Sequence, residues 1–306
     1  MRARGRRSVS IAAPLTQPTR PARVHPTLVA AFWMVGTLSS FALMAVGGRE
    51  LSAELNTFQI LFFRSVVGLV LISALLTRRG WAQVATRRPG MHVLRNVAHY
   101  VGQFGWFYGI ALLPLAQVFA IEFTIPIWTM ILAALFLGER MTAVRVAAVA
   151  LGIAGTLIIL RPGIVPFTLA SAAVLMAAFG YAVSYIFTKK LVPTDAPLAI
   201  LFYMALVQLP LGLVPSLFDW ATPSPALWPW LLVVGVTALS AHFCIAKAMS
   251  LADAMVVVPI DFLRLPLIAL VGFAVYAEPL DPLVFVGAVV MLAGNLINLR
   301  AEHRRR

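Results

Sequence analysis

The chain has 306 residues, of which 61% are hydrophobic and only 11% are charged. Soluble globular domains are usually about 45–50% apolar and about 25% charged, so this composition excludes an ordinary soluble protein. The 24 Lys and Arg against 11 Asp and Glu give a net charge of +13. Most arginines lie between or outside apolar runs, which is typical of membrane topology signals rather than of nucleic-acid binding. Cys244 is the only cysteine, so neither an intrachain disulfide nor a cysteine-based metal site is expected.

The chain begins with an Arg- and Pro-rich segment, 1–26, which predicts a disordered basic tail. "RRSVSI" at 6–11 faintly resembles a twin-arginine signal, but "AAPLTQPTRP" follows it in place of a hydrophobic region, so no cleaved signal peptide is expected. Beyond the tail, a membrane-spanning helix needs about 20 mostly apolar residues. The sequence therefore predicts an all-α integral membrane protein with ten spans: 27–46, 57–77, 91–112, 117–137, 143–160, 166–188, 198–217, 227–249, 254–277 and 281–299.

The placement of Lys and Arg predicts the orientation of these spans. With the N-terminus in the cytoplasm, 18 basic residues fall in segments predicted to be cytoplasmic, and two, Arg49 and Arg161, fall in outer loops. This asymmetry follows the positive-inside rule. Because both ends of the chain are basic, it also requires an even number of crossings. We expect a multi-pass protein of the bacterial inner membrane with both termini in the cytoplasm.

The two halves of the chain resemble each other. "LPLAQ" (113–117) matches "MSLAD" (249–253), and Gly155 in "IAGTLIIL" falls on Gly294 in "LAGNLINL", with offsets of 136 and 139 residues. The chain is therefore predicted to contain two five-helix repeats, 27–160 and 166–299, followed by a basic cytoplasmic tail, 300–306. Because five is odd, the second repeat must enter the membrane from the other side. Inverted repeats are a common plan of secondary transporters, with the substrate near the midplane between the halves.

Several segments in this order resemble the drug/metabolite transporter superfamily, EamA type. They are "FFR" (62–64), "LPLAQVFAIEFTIPIWTMILAALFLGER" (113–140), "LGIAGTLIIL" (151–160) and "FVGAVVMLAGNLI" (285–297). The resemblance implies ten spans in two repeats, cytoplasmic termini, and transport of small organic solutes such as amino acids, nucleotide-like metabolites, vitamins or drugs. The chain departs from an exact repeat at Met204, which stands where the first half has Arg64.

Span nine contains two charges, Asp261 and Arg264, within an otherwise apolar run. Each charge at the centre of a span costs roughly 2.5–3.5 kcal/mol, so neither is expected to face lipid. Residues three apart share a helix face and can partly neutralise each other. Pro259 and Pro266 flank the pair and loosen the helix. This pattern indicates a substrate site or a moving gate; a static ion pair that locks the span against a neighbour is the alternative.

Span four and span two contain a second predicted pair, Glu122 and Arg64. Both residues lie five to seven positions from the outer face, so we expect them to pair there as a gate or as a structural bridge. Span three has Asn96, His99, Gln103 and Trp106 at spacings of 3, 4 and 3, which is one helix face. Such a polar face should look away from lipid. It indicates a pathway wall or, alternatively, interhelical hydrogen bonding. The predicted substrate pathway on span six comprises Tyr181 and Tyr185.

These observations favour a secondary transporter that moves a small organic metabolite by alternating access. Protons are a candidate coupling ion, through Glu122, Asp261 or His99. The excess of basic residues within the spans favours a substrate with an anionic group. An intramembrane enzyme or a channel-like pore is the alternative, but the sequence contains no HExxH, GxSxG or Walker A motif. We expect no cofactor, no metal, no nucleic-acid partner and no enzymatic activity, and either a monomer or a homodimer.

Overall fold

The computed structural model describes residues 26–164 and 166–304, and these contain helices and no strand. The predicted tails lie outside the described residues except for Pro26, which begins the first helix, and 300–303, which end the last one. Twelve α-helices follow one another within these ranges. They are α1 Pro26–Leu51, α2 Thr57–Arg79, α3 Pro89–Leu112, α4 Leu115–Glu122, α5 Ile125–Leu137, α6 Ala143–Leu160, α7 Leu169–Leu191, α8 Pro197–Ser216, α9 Trp228–Leu251, α10 Ala254–Phe262, α11 Arg264–Tyr276 and α12 Pro282–His303.

The twelve helices form ten spans, as predicted. Nine stretches of the described chain are long and apolar enough to cross a membrane, with α4–α5 counting as one of them and α10–α11 as another. The tenth is α3, which is 24 residues long and so could cross. Its hydropathy is lowered by polar residues whose side chains are buried inside the protein: His92, Arg95, Asn96, His99 and Gln103. These residues form a polar face of α3 that is directed to the protein interior rather than to lipid.

Contacts between the helix connections show that the spans run alternately up and down. After α2 and α7, Arg88 donates to the Lys190 carbonyl at 3.0 Å. After α1 and α8, Asn56 donates to the Asp219 carbonyl at 2.9 Å. We call one end of the bundle the basic end, because it carries Arg78, Arg79, Arg87, Arg88, Arg140, Arg145, Lys189, Lys190 and Arg300. The opposite end carries Arg49, Arg161, Trp220 and Trp228.

The helix contacts repeat between α1–α6 and α7–α12 about an approximate two-fold axis. α3 packs on α7 as α9 packs on α1, and α2 and α6 pack on their own counterparts, α8 and α12. At the last of these contacts, a Cβ on Gly155 would lie 2.6 Å from the Gly287 carbonyl oxygen, and one on Gly294 would lie 2.9 Å from the Ala148 carbonyl oxygen. The residues of these two contacts exchange under an offset of 139. Because each half has five spans that alternate in direction, the two repeats are inverted.

Both halves contain a broken span at the same position. α4 ends at Glu122 and α5 begins at Ile125, while α10 ends at Phe262 and α11 begins at Arg264. Pro126 has no N–H for the Glu122 carbonyl four residues earlier, and Pro266 has none for Phe262, so each proline removes the bond that would continue the helix. The breaks bring helix ends, and the polar groups on them, to the middle of the bundle.

The polar end of α3 is anchored to the second half at the basic end. His92 Nε2 lies 3.0 Å from Asp195 Oδ1, and both side chains are almost fully buried. Burial alone would raise the pKa of the Asp195 carboxyl, but hydrogen bonds from Thr194, Thr86 and His92 lower it to about 2. Asp195 is therefore ionised at neutral pH and fixes the end of α3 against the connection between α7 and α8.

Candidate functional site

The breaks in spans four and nine bring three charged side chains together. Arg264, at the start of α11, lies 3.4 Å from Glu122 Oε1 through Nη1 and 3.4 Å from Asp261 Oδ2 through Nη2. The side chains of Arg264 and Glu122 are 7% and 9% exposed, and that of Asp261 is 20% exposed. We call these three residues the central triad. It carries one positive and two negative charges.

The predicted pairing of Glu122 with Arg64 was wrong, because Glu122 contacts Arg264 instead. Depth along the helices, on which that prediction depended, carries no information about rotation or about a helix break. The break after Glu122 turns its carboxylate towards the matching break in span nine. The predicted pair of Asp261 and Arg264 is present, but it shares its guanidinium with Glu122.

Aromatic rings surround the central triad. The Arg264 guanidinium lies 4.2 Å from the ring centre of Phe41 and 5.0 Å from that of Phe123, so cation–π attraction adds to the ion pairs. Trp106 Nε1 donates to Glu122 Oε2 at 2.8 Å. Phe123 and Phe262, one at each break, stack with ring centres 4.3 Å apart. The triad is thus held in place by aromatic contacts from four spans.

The predicted stripe on α3 faces the interior, with Asn96, His99, Gln103 and Trp106 all buried. Asn96 accepts a hydrogen bond from Arg95 Nη1 at 2.6 Å, and His99 Nδ1 lies 3.0 Å from Gln208 Nε2 on α8. Hydrogen bonding between and within helices therefore accounts for part of the stripe. Gln103 differs, since both polar atoms of its side chain are buried without a partner among the described residues.

The two tyrosines predicted on span six lie on the inner side of α7. The Tyr181 ring centre is 5.2 Å from that of His99. Tyr185 is 46% exposed, and it lines the cavities described below. The structure thus brings the predicted pathway residues of α2, α3, α4, α7, α10 and α11 around one region of the bundle.

Three connected cavities lead from the basic end to this region. The vestibule, of about 940 Å³, is lined at the basic end by Glu139, Arg140 and Lys189 and reaches Tyr185. It shares Tyr185 and Pro126 with the central chamber, of about 320 Å³, which contains the central triad. The central chamber shares Glu122 and Tyr185 with the inner cavity, of about 40 Å³, which is lined by Arg64, His99, Gln103, Trp106, Tyr181 and His242.

An ion pair and several hydrogen bonds close the opposite end above these cavities. Arg49 Nη1 lies 3.2 Å from Glu278 Oε1, and the same guanidinium donates to the carbonyls of Ile110 and Leu113. Glu278 Oε2 accepts from the Leu115 backbone N–H at 2.8 Å. We call Arg49 and Glu278, with these backbone partners, the opposite-end lock. It joins the ends of α1, α3, α4 and α11.

A related group of charges lies at the basic end but does not close it. Glu139 lies 2.5 Å from Lys189 Nζ and 2.7 Å from Arg145 Nη2, and the Lys189 side chain is 63% exposed. Hydrogen bonds from Lys189 and Arg145 lower the pKa of Glu139 despite its partial burial. We call these three residues the basic-end cluster. Glu139 corresponds to Glu278 at an offset of 139, and Lys189 to Arg49 at an offset of 140.

Neither group was identified as a gate from the sequence, although the offset between Glu139 and Glu278 was visible there. The missing signal was the partner that each glutamate has in the other repeat, which is Lys189 for Glu139 and Arg49 for Glu278. Among the described residues, no cluster of three or more His, Cys, Asp or Glu side chains could hold a metal ion.

Ten spans in inverted halves, with cavities leading from one end to charges at mid-depth, are typical of a membrane transporter. Two segments of the chain, 28–161 and 168–300, match the EamA-like transporter family. The chain belongs to this family, as its resemblance to the drug/metabolite transporter superfamily predicted. It is a multi-pass membrane protein that transports a small molecule, and it is not an enzyme.

Similar proteins include an uptake transporter, a transporter named without a direction and an exporter. The chain is 28% identical over 272 residues to the S-adenosylmethionine uptake transporter of Rickettsia prowazekii, covering 89% of this chain and 92% of that one. It is 30% identical over 278 residues to the riboflavin transporter of Brucella anthropi, covering 88% and 98%. It is 27% identical over 269 residues to the pseudopaline exporter CntI of Pseudomonas aeruginosa, covering 85% and 92%. The names of these relatives therefore leave the direction of transport open.

A solved crystal structure shares the architecture. It superposes with a TM-score of 0.64 at 17% sequence identity, covering 92% of this chain and 98% of the other. At this identity the likeness supports the fold alone.

Proposed function

We propose that this transporter works by alternating access and that the structure corresponds to the state open at the basic end. The proposal depends on one observation: two charge groups that the repeat relates by symmetry differ in how exposed their side chains are. The Arg49 and Glu278 side chains of the opposite-end lock are 21% and 12% exposed. In the basic-end cluster the side chains of Lys189 and Glu139 are 63% and 26% exposed. In an inverted repeat, exchanging these two arrangements would open one end and close the other.

The proposed moving parts are the two repeats, 27–160 and 166–299. The breaks at Glu122 and Leu263 supply hinges within them, since few backbone hydrogen bonds oppose rotation there. The positive-inside rule supports a position for the basic end on the cytoplasmic side of the bacterial inner membrane. The proposed state is therefore inward-open, with both termini cytoplasmic. The cavities lie within one chain, so we propose the monomer as the transport unit, whether or not it forms homodimers.

The proposed substrate is a metabolite of the size of a vitamin or a nucleoside. The central chamber, of about 320 Å³, lies within the range of about 300–1,000 Å³ usual for small-molecule sites. The similar proteins named as an S-adenosylmethionine uptake transporter and a riboflavin transporter support this size class. The proposed pathway comprises the residues predicted from the sequence: Arg64, Asn96, His99, Gln103, Trp106, Glu122, Tyr181, Tyr185, Asp261 and Arg264.

Proton coupling is the proposed source of energy. Among Glu122, Asp261 and His99, we favour Asp261 as the proton carrier. Asp261 keeps one oxygen, Oδ1, without a partner among the described residues, whereas both oxygens of Glu122 are engaged. Collapse of flux by an uncoupler in intact cells would support this part of the proposal, and flux unchanged by an uncoupler would contradict it.

Alternating access is tested with two single-cysteine reporters in a Cys244→Ser background. Ala45→Cys lies fully buried one helical turn below Arg49, so a membrane-impermeant thiol reagent should reach it only when the opposite-end lock opens. Tyr185→Cys reports on the vestibule. The perturbation is Glu278→Gln, which removes the carboxylate of the lock and should shift the population roughly tenfold towards the state open at the opposite end.

We expect labelling at Ala45→Cys from the opposite side to rise and labelling at Tyr185→Cys from the basic side to fall. Glu139→Gln should change the two reporters in the other direction. Asp219→Asn is the matched control, because Asp219 is an exposed acid at the same end as Glu278. If both reporters become accessible together, the protein is a channel-like pore; if Glu278→Gln changes neither, the lock is not a gate. Either result refutes the proposal.

A further inference from the structure

Arg64 is a buried guanidinium without a counter-ion. The residue is 7% exposed, and its Nε is buried without a hydrogen-bond partner. No carboxylate of the described residues forms an ion pair with it, in contrast to Arg264, which has two. A guanidinium stays protonated under all ordinary conditions, and a buried, unpaired charge is strongly unfavourable. Arg64 therefore presents an uncompensated positive charge to the inner cavity, which it lines.

Two neighbours of Arg64 in the inner cavity add hydrogen-bond donors. Gln208 Nε2 lies 3.4 Å from the Asn96 backbone carbonyl oxygen and 3.0 Å from His99 Nδ1. Because a carbonyl oxygen only accepts, the Gln208 atom that faces both groups is its donor nitrogen. His99 Nδ1 therefore accepts, and in the neutral ring the proton lies on Nε2. Gln103 has both side-chain polar atoms buried without a partner. A ligand here would meet a guanidinium, an imidazole N–H and an amide.

The charges around the cavity favour a negative ligand. Glu122 also lines the inner cavity, but its oxygens are occupied by Arg264 and by Trp106. Arg95 is buried and bonds only to neutral groups, Asn96 and Thr188. The interior of the bundle thus holds three guanidiniums, of Arg64, Arg95 and Arg264, against two carboxylates. One positive charge remains uncompensated.

We propose that the inner cavity is the subsite for an anionic group of the substrate, held by Arg64 with His99 and Gln103. This inference rests on the proposed function and names the substrate class: a small organic anion with a planar ring. The inner cavity, at about 40 Å³, has room for one small group. The ring would occupy the central chamber, where the partly exposed ring of Tyr185 lines the wall.

The proposal is tested with three probes of one shape and different charge: benzoate, benzamide and benzamidinium. Their binding to the purified full chain in lipid nanodiscs is measured by calorimetry and by quenching of tryptophan fluorescence. A charge-assisted bond to a buried guanidinium should make benzoate bind roughly tenfold to a hundredfold more tightly than benzamide. Benzamidinium should bind most weakly of the three.

Three variants assign the preference to Arg64. Arg64→Gln should bring benzoate binding down to that of benzamide, Arg64→Lys should keep part of the preference, and Arg78→Gln should keep all of it. Arg78 is the matched control, because it is exposed on the same helix. If Arg64→Gln does not fold, the comparison of probes on the unmodified protein and on Arg64→Lys still decides.

Benzoate that binds no more tightly than benzamide to the unmodified protein would overturn the proposal, and this includes the case in which none of the three binds. A preference for benzoate that survives in folded Arg64→Gln would overturn it as well. Reciprocal labelling of the two cysteine reporters needs no ligand. It would therefore persist if only the anion subsite were wrong, and it would be absent if alternating access itself were wrong.

Discussion

The two carboxylates of the central triad should act as partial substitutes for each other. Arg264 lies 3.4 Å from both Glu122 and Asp261, so removing either one leaves the guanidinium paired with the other. Glu122 is the more buried and also accepts the Trp106 N–H. We expect Glu122→Gln to lower the free energy of unfolding by about 1–2 kcal/mol and Asp261→Asn by less than about 1 kcal/mol.

The double variant should lose more than the sum of the single variants. With both carboxylates gone, Arg264 becomes an unpaired buried charge, a change that costs about 3–5 kcal/mol. A double-mutant cycle should therefore give a coupling energy of about 1–2 kcal/mol between Glu122 and Asp261. Independent sites show only a few tenths of a kcal/mol. Arg264→Gln should be at least as destabilising as the double variant, because it leaves two buried carboxylates without their cation.

Unfolding of the purified variants in mixed micelles, followed by tryptophan fluorescence, measures these differences. Asp253→Asn is the matched control: Asp253 is exposed at the start of the same broken span and makes no side-chain capping bond, so its substitution should change stability by less than about 0.5 kcal/mol. If the changes in the free energy of unfolding caused by Glu122→Gln and Asp261→Asn are additive within that margin, the two carboxylates do not share Arg264.

Two further predictions concern the scaffold. Gly155→Ala would place a Cβ 2.6 Å from the Gly287 carbonyl oxygen, so its melting temperature should fall by an amount equivalent to about 1–3 kcal/mol. Gly90→Ala, whose Cβ meets nothing within 4 Å, should leave the melting temperature unchanged or raise it; equal effects would refute the close contact. Asp195→Asn should lower stability by about 1–2 kcal/mol at pH 7. Because the pKa of Asp195 is depressed from 3.8 to about 2, this difference should persist above pH 4 and vanish as the pH falls towards 2; a difference independent of pH would contradict the assignment.

The arrangement of spans was largely predictable from the sequence, because apolar runs and basic connections record it directly. The structure differs mainly at the helix ends. α1 runs to Leu51 and α12 to His303, beyond the predicted 46 and 299, since backbone hydrogen bonding continues past the apolar run. The break in span nine was indicated by its prolines, and the structure attributes it to Pro266 rather than to Pro259, which lies within α10.

The inward face of α3 was also predictable, because a spacing of 3, 4 and 3 defines a helix face without any tertiary information. The partners of the charges were not. Glu122 was assigned to Arg64 by depth, whereas it contacts Arg264. The sequence likewise does not show that Arg95 is buried and bonded to Asn96 and Thr188. Which charges meet depends on rotation about each helix axis, and a single sequence does not specify this.

The most polar span completes its hydrogen bonds only with parts of the chain that are made much later. His92, Arg95 and His99 on α3 bond to Asp195, Thr188 and Gln208, which lie 103, 93 and 109 residues further along. At about 5–20 residues per second, synthesis of those partners takes roughly 5–20 s after α3 has left the ribosome. During that interval the polar face of α3 lacks these hydrogen-bond partners in the bilayer. These hydrogen bonds therefore form only once the second half has been made, and we expect the two halves to mature as one unit rather than in turn.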